Sequence, residues 1–226
     1  MAFLILTLLL LLIIFLIYAS ANIRSGVYVR SFSKGKTDAK IVALTFDDGP
    51  EPTITHKLLD VLSAEQVKAA FFCIGEKVEQ NRDVVIRIAK EGHLIGCHSY
   101  KHTVDLTFCS HDSLKADLIR CLEVLEKTIG EKIQWYRPPY GITNPVIGSV
   151  SRELALKVAG WSVRSFDTMK DEHGEVIKRI TSRVKPGSVI LLHDRMPFAP
   201  ELAQQLIKEL KEKGYSFERF DKLIKH

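Results

Sequence analysis

Two kinds of apolar pattern alternate along this chain from residue 39 onward. Short runs stand at 41–46 (IVALTF), 69–74 (AAFFCI), 93–97 (HLIGC), 132–136 (KIQWY), 156–163 (LKVAGWSV), 188–192 (SVILL) and 215–220 (YSFERF). Each has the length and the content of β-branched and aromatic residues that suit a strand. Between most of them the apolar positions fall at helical spacing. Leu114, Leu118, Leu122, Leu125 and Ile129 recur three or four residues apart, and Gly130 follows as a stop. Ala203, Leu206, Ile207 and Leu210 repeat the pattern before Gly214. Further helices are expected over 54–66, 82–91, 145–153 and 174–184. Seven strands interleaved with helices predict an α/β fold with a largely parallel sheet, as a barrel or as an open doubly wound sheet. In either form the functional groups gather at the C-terminal ends of the strands.

The first 21 residues break this pattern. AFLILTLLLLLIIFLIYASA carries no charge and has the length that spans a bilayer as a helix. Ala19-Ser20-Ala21 has the small residues of a signal-peptide cleavage site. The apolar run is longer than a usual signal core, however, and no Lys or Arg precedes it. Residues 1–21 are therefore read as an uncleaved membrane anchor, with secretion as the alternative if they are removed. Residues 22–38 read as a linker and 39–226 as the main domain. Arg24, Arg30, Lys34 and Lys36 all follow the apolar run, and by the preference of positive residues for the cytoplasm they would hold the domain inside.

Composition changes the picture little. The chain has 226 residues, 46% of them hydrophobic, which suffices for one sizeable core. Its net charge of +5 is scattered, with no Lys/Arg block, so no nucleic-acid partner is expected. Cys73, Cys97, Cys109 and Cys121 form no C-x-x-C pair; Cys73 and Cys97 lie in apolar runs and read as small buried hydrophobes.

The candidate chemistry falls at the strand ends. Asp47 and Asp48 follow the first run directly. Ordinary turn chemistry accounts for Asp48-Gly49-Pro50 but leaves Asp47 without a use. His98 and His102 follow the third run, four residues apart. Two imidazoles and one carboxylate compose a three-ligand site with an open position, the make-up of a catalytic divalent-metal centre. Arg137 precedes two prolines that stiffen its loop, which suits a guanidinium held ready for a carboxylate. Asp167 and His193 each follow a later run and could pair.

Thr45-Phe46-Asp47-Asp48-Gly49-Pro50, His98-Ser99-Tyr100-Lys101-His102, Arg137-Pro138-Pro139-Tyr140-Gly141, Asp167 and Leu191-Leu192-His193-Asp194 resemble the five ordered motifs of the polysaccharide deacetylases, the NodB-homology enzymes of carbohydrate esterase family 4. The likeness covers about residues 40–220. It implies a distorted (β/α) barrel with fewer than eight strands, and a hydrolase that removes N-acetyl groups from an N-acetylated glycan, peptidoglycan or chitin-like. It implies that Asp48, His98 and His102 hold a divalent metal, zinc first, with cobalt or another divalent ion as alternatives. Asp47 would be the general base and His193 the general acid. Arg137 would pair with Asp47, and Asp167 with His193. The backbone N–H of Tyr140 would face the oxyanion, and Leu192 would line the pocket for the acetyl methyl.

One motif departs from the family. Many members read Asp-x-x-Asp-Trp where this chain has Arg164-Ser165-Phe166-Asp167-Thr168, so the shape of the substrate groove is open. Other readings stay in view: hydrolysis of a cyclic imide or an acetyl-xylan ester, and a membrane-tethered glycan binder without turnover. An intact base and acid argue against the binder. The expected partners are the N-acetylated glycan and a membrane reached through residues 2–21; the enzyme is expected to be monomeric, with its domain on the outer side against the direction that the positive residues favour.

Overall fold

The computed structural model describes residues 1–169 and 172–225. It opens with α1 (Ala2–Ala21), β1 (Ser31–Phe32), β2 (Ile41–Asp47), α2 (Pro52–Ala64) and β3 (Ala70–Cys73). There follow α3 (Gly75–Gln80), α4 (Arg82–Lys90), β4 (Leu94–Cys97), α5 (His111–Ile129), β5 (Trp135–Tyr136) and α6 (Pro145–Glu153). The chain continues through β6 (Lys157–Ala159), β7 (Val163–Arg164), α7 (His173–Arg183), β8 (Val189–His193), α8 (Ala199–Glu212), β9 (Ser216–Phe217) and α9 (Phe220–Leu223). Local chemistry sets the helix ends. Ser110 caps α5 by accepting from Ser113 N–H, and Gly130 closes it at φ +74°. Asn144 caps α6 ahead of Pro145.

The strands run in the order β1-β6-β5-β4-β3-β2-β8-β7, each neighbouring pair parallel, with β9 beside the start of β2. Every one of the seven expected runs holds a strand. The run 156–163 is broken in two, because Gly160-Trp161-Ser162 carries the chain from β6 at one side of the path to β7 at the other. That covalent crossing brings the two sides together where ladder pairing does not, and the result is an incomplete parallel α/β barrel. The segment 22–38, expected to be a linker, instead adds a strand. Ser31 and Phe32 pair with Val158 and Ala159, and Lys34 bridges to Ser188. Phe32 meets Trp135 edge-on, which supplies the apolar contact that the polar sequence around it concealed.

Strand alternation divides the core into two layers. Val42, Leu44 and Phe46 of β2 face the helices. Ala43 faces the barrel interior with Ala70, Phe72, Trp135, Ala159 and Val189. The floor of that interior is closed by α9: Phe220 sits 5.0 Å from the Trp135 ring and 6.2 Å from the Phe72 ring, centroid to centroid. Among the described residues, α1 is the helix long and apolar enough to cross a membrane, and nearly all of it is exposed. Its C-terminal end is held by the domain. Thr143 donates from its N–H to Ser20 O (2.9 Å) and from its hydroxyl to Ala19 O (3.1 Å), so helix-end carbonyls find partners. The four cysteines are free thiols, and three of them are buried.

Phe220→Ala should lower the unfolding free energy by roughly 3–5 kcal/mol in urea titration, because it removes the interior plug. Phe108→Ala, at a side chain 80% exposed, should change it by less than about 0.5 kcal/mol.

Candidate active site

Asp47 ends β2 and faces the barrel interior in step with Ala43 and Thr45. Its charge is buried, at 3% exposure, and Arg137 meets it. The Arg137 guanidinium is itself fully buried. It donates to Asp47 Oδ1 (2.7 Å), Thr45 Oγ1 (2.8 Å), Gly160 O (3.0 Å) and Ala159 O (3.3 Å). Its flat face lies 4.0 Å above the Phe72 ring centroid. Burial pushes the guanidinium pKa down, against the charge and hydrogen bond of Asp47.

Asp48 lies one residue beyond the strand at φ +74°; His98 Nε2 is within reach of both neighbouring carboxylates, 3.8 Å from Asp47 Oδ2 and nearer still to Asp48. Asp48 Oδ1 is 3.4 Å from His98 Nε2 and 3.3 Å from His102 Nε2, and the three donor atoms lie within 4.8 Å of one another. His98 Nδ1 is 2.7 Å from the Arg137 carbonyl oxygen, which can only accept, so that nitrogen carries the hydrogen. Nε2 is left either to share a second proton with Asp48 or to give its lone pair to a cation. Burial, and then the neighbouring His98, hold His102 down at about 4, so its ring is neutral at pH 7. Burial would raise the Asp48 carboxyl, but His98, then His193 and His102, hold it well below the usual carboxylate range. A carboxylate facing two imidazole nitrogens, one ring already oriented by a backbone oxygen, fits a divalent cation. Arg195, which sequence reasoning missed, donates from Nε to the other oxygen, Asp48 Oδ2 (2.7 Å). One oxygen is thereby steered to the histidines.

His193 ends β8 directly beside Asp47, its register partner. Asp167 holds it twice: Oδ2 accepts from His193 N–H (2.8 Å), and Oδ1 lies 2.7 Å from Nδ1. Burial alone would lower the His193 pKa, but Asp167 overcomes it and the net direction is upward. Ser165 Oγ donates to Asp167 Oδ1 at 2.7 Å.

These groups line one cleft with Tyr140, Gly141, Trp161, Arg164, Thr168 and Leu191. Every motif residue expected at the site is found there or directly behind it, with one correction. Leu192 does not reach the cleft. It packs in the outer core between sheet and helices, while Leu191 lines the cleft. The cause is register: His193 faces inward, so its neighbour in β8 faces outward and the residue two back faces inward. Trp161, also missed, fits only because residue 141 is glycine; a Cβ there would stand 2.2 Å from the indole, at φ +71°. Asp194 is fully buried and raised to about 7 by that burial, and it accepts from the Thr55 hydroxyl at 2.7 Å. No pattern in the sequence marks Arg195 or Trp161, because their partners are 147 and 20 residues away; Asp194 ends the fifth motif, but its partner Thr55, 139 residues away, is not marked. Asp48, Ser99, His102, Tyr140 and Phe166 all have positive φ, and each belongs to a motif at this site.

The sequence profile of the polysaccharide deacetylase family matches residues 34–159. The peptidoglycan-N-acetylglucosamine deacetylase PgdA of Listeria monocytogenes is 34% identical over 199 residues, which are 88% of this chain and 42% of that protein. The peptidoglycan-N-acetylmuramic acid deacetylase PdaC of Bacillus subtilis is 32% identical over 176 residues, 78% of this chain and 37% of that one. The chain thus spans less than half the length of these two relatives. The solved structure of the Bc1960 peptidoglycan N-acetylglucosamine deacetylase superposes with a TM-score of 0.80 at 32% identity, covering 85% of this chain and 92% of that one.

Removing Arg137 leaves the Asp47 carboxylate buried without its partner. Arg137→Met should therefore cost roughly 3–5 kcal/mol of stability in chemical denaturation, and the Arg137→Met/Asp47→Asn pair should recover part of that loss.

Proposed function

Since the chain belongs to the polysaccharide deacetylase family, we propose that it is a hydrolase that cleaves the acetamide of an N-acetylated amino sugar, releasing acetate and a free amine. The supporting observation is that two oppositely arranged ion pairs, Arg137–Asp47 and Asp167–His193, meet as register partners beside the Asp48, His98 and His102 set. A divalent cation, zinc first, held by Asp48, His98 and His102 supplies Lewis-acid polarisation of water and of the acetamide carbonyl when bound. The remaining steps belong to the chain's own groups. Asp47, hydrogen-bonded to Arg137, accepts a proton from the attacking water. The backbone N–H of Tyr140 donates to the developing oxyanion. His193, kept protonated by Asp167, delivers its proton to the departing amine. The acid and the base thus each have a partner of opposite kind, a carboxylate beside His193 and a guanidinium beside Asp47.

The substrate best supported is peptidoglycan, which both curated relatives above carry in their names. The sugar is GlcNAc or MurNAc. Leu191 takes the place by the acetyl methyl first expected of Leu192. Residues 39–226, together with β1 from the segment 22–38, make up the catalytic domain, which follows a membrane anchor at 1–21. The domain acts as a monomer outside the membrane, on the cell envelope. The direct test is acetate release by the zinc- or cobalt-loaded chain across N- and O-acetylated glycans. Release from peptidoglycan is expected, and none from any N-acetylated glycan would overturn the reading.

The raised pKa of His193 gives a pH prediction. Its stabilising pair with Asp167 is complete below the ordinary histidine value of about 6.5. It is lost as pH rises through the higher folded value. Since the acid must carry its proton, activity should fall along that same alkaline limb. Asp167→Asn should move the limb of the kcat profile to lower pH by about one unit or more. An unmoved limb would remove His193 from the acid role.

A further inference from the structure

Arg24, Arg30, Lys34 and Lys36 point the wrong way for a domain outside the membrane, and the fold suggests what they do instead. Two clefts adjoin at the exit of α1 and share Arg24 and Lys34 as lining. One adds Arg183 and Lys185, from the end of α7 and the turn before β8; the other adds Arg30 and Lys36. All six side chains belong to exposed residues, and none takes part in an ion pair among the described residues. Among the described residues, no acidic side chain lines either cleft. Six cations from separate segments, without an ion pair among the described residues, repel one another and are held together by the fold, an arrangement that suits an anionic group offering several oxygens.

Their place says which anion. Arg24 is three residues past Ala21, the last residue of the apolar helix, so its backbone lies within about 10 Å of the helix end. Ile23 between them is buried against the domain, and Ser31 Oγ donates to its carbonyl at 2.7 Å, so the clefts do not swing freely from the helix. With α1 across a bilayer, the clefts lie at the level of the headgroups. We infer that they form a binding site for the phosphate of an anionic phospholipid in the leaflet facing the domain. Bound lipid would fix the tilt of domain and anchor together against the membrane surface. Thr143, which grips the end of α1, is two residues from Gly141 of the catalytic cleft, so that tilt sets how the cleft meets its substrate. This inference rests on the anchor reading of residues 1–21.

The test reconstitutes the full chain in phosphatidylcholine vesicles containing phosphatidylglycerol, extracts it in mild detergent and counts co-purifying lipids by mass spectrometry. Phosphatidylglycerol should exceed its bulk share by at least about fivefold. Arg24→Gln/Lys34→Gln and, independently, Arg183→Gln/Lys185→Gln should each abolish most of that enrichment while leaving the unfolding midpoint unchanged. Retained lipids in the bulk ratio, or enrichment that survives both pairs of substitutions, would overturn the site. Displacement of the lipid by inorganic phosphate alone would also overturn it, by reassigning the clefts to a soluble anion. The anchor has its own readout: release of the chain from pure phosphatidylcholine vesicles by alkaline carbonate would sink the anchor reading, and the lipid site with it. Resistance to carbonate combined with a bulk lipid ratio would sink the lipid site alone.

Discussion

The Arg137 guanidinium is the group on which the rest of the site depends. It is a full positive charge with no exposed surface, resting on Phe72 inside the barrel. Such a charge is tolerated only when its donors are met and its sign is balanced. Thr45 and Asp47 on β2 and the carbonyls of Ala159 and Gly160 at the end of β6 do both. The same carbonyls begin the crossing by which the barrel closes. The interaction that orients Asp47 therefore also holds the far side of the sheet against β2, so catalysis and architecture share one ion pair. Arg137 acts a third time through its main chain, whose carbonyl orients the His98 ring.

Around that fixed point the cleft is assembled under strain. Asp48, Ser99, His102, Tyr140 and Phe166 occupy backbone conformations that side chains with a Cβ avoid. Several have hydrogen bonds beside them that offset the cost. Ser99 Oγ accepts from His102 N–H at 2.9 Å, and Asp117 accepts from the N–H groups of Tyr100 and Lys101. The neighbouring carboxylates differ in their partners: Asp47 is held by the buried guanidinium with His98 at 3.8 Å, and Asp48 faces two imidazoles and Arg195. Two chemically identical side chains are thereby given different work.

Much of this was legible in the sequence. The strand runs are apolar and short, so β2, β3, β4 and β8 stand out, and the helical spacing in α5 and α8 is regular. The motif residues could be assigned to the strand ends because parallel α/β folds place their chemistry there. What stayed hidden has physical reasons. β1 is two residues long and owes its place to Phe32 meeting Trp135, a contact that no local pattern encodes. The break between β6 and β7 lies inside one apolar run, since both halves are buried and only the direction of pairing differs. Leu192 was given the inward position of Leu191 because a motif names a neighbourhood while alternation along β8 decides the face. Arg195 reaches Asp48 across 147 residues of chain, a proximity created by the pairing of β2 with β8.

The central claim is that adjacent aspartates divide binding from proton transfer. It is tested most directly by measuring metal content and acetate release side by side for Asp47→Asn and Asp48→Asn. The account predicts that Asp47→Asn keeps wild-type metal content and loses turnover by at least about a hundredfold, whereas Asp48→Asn loses the metal itself. Loss of metal in Asp47→Asn, or full metal retention in Asp48→Asn, would contradict the division.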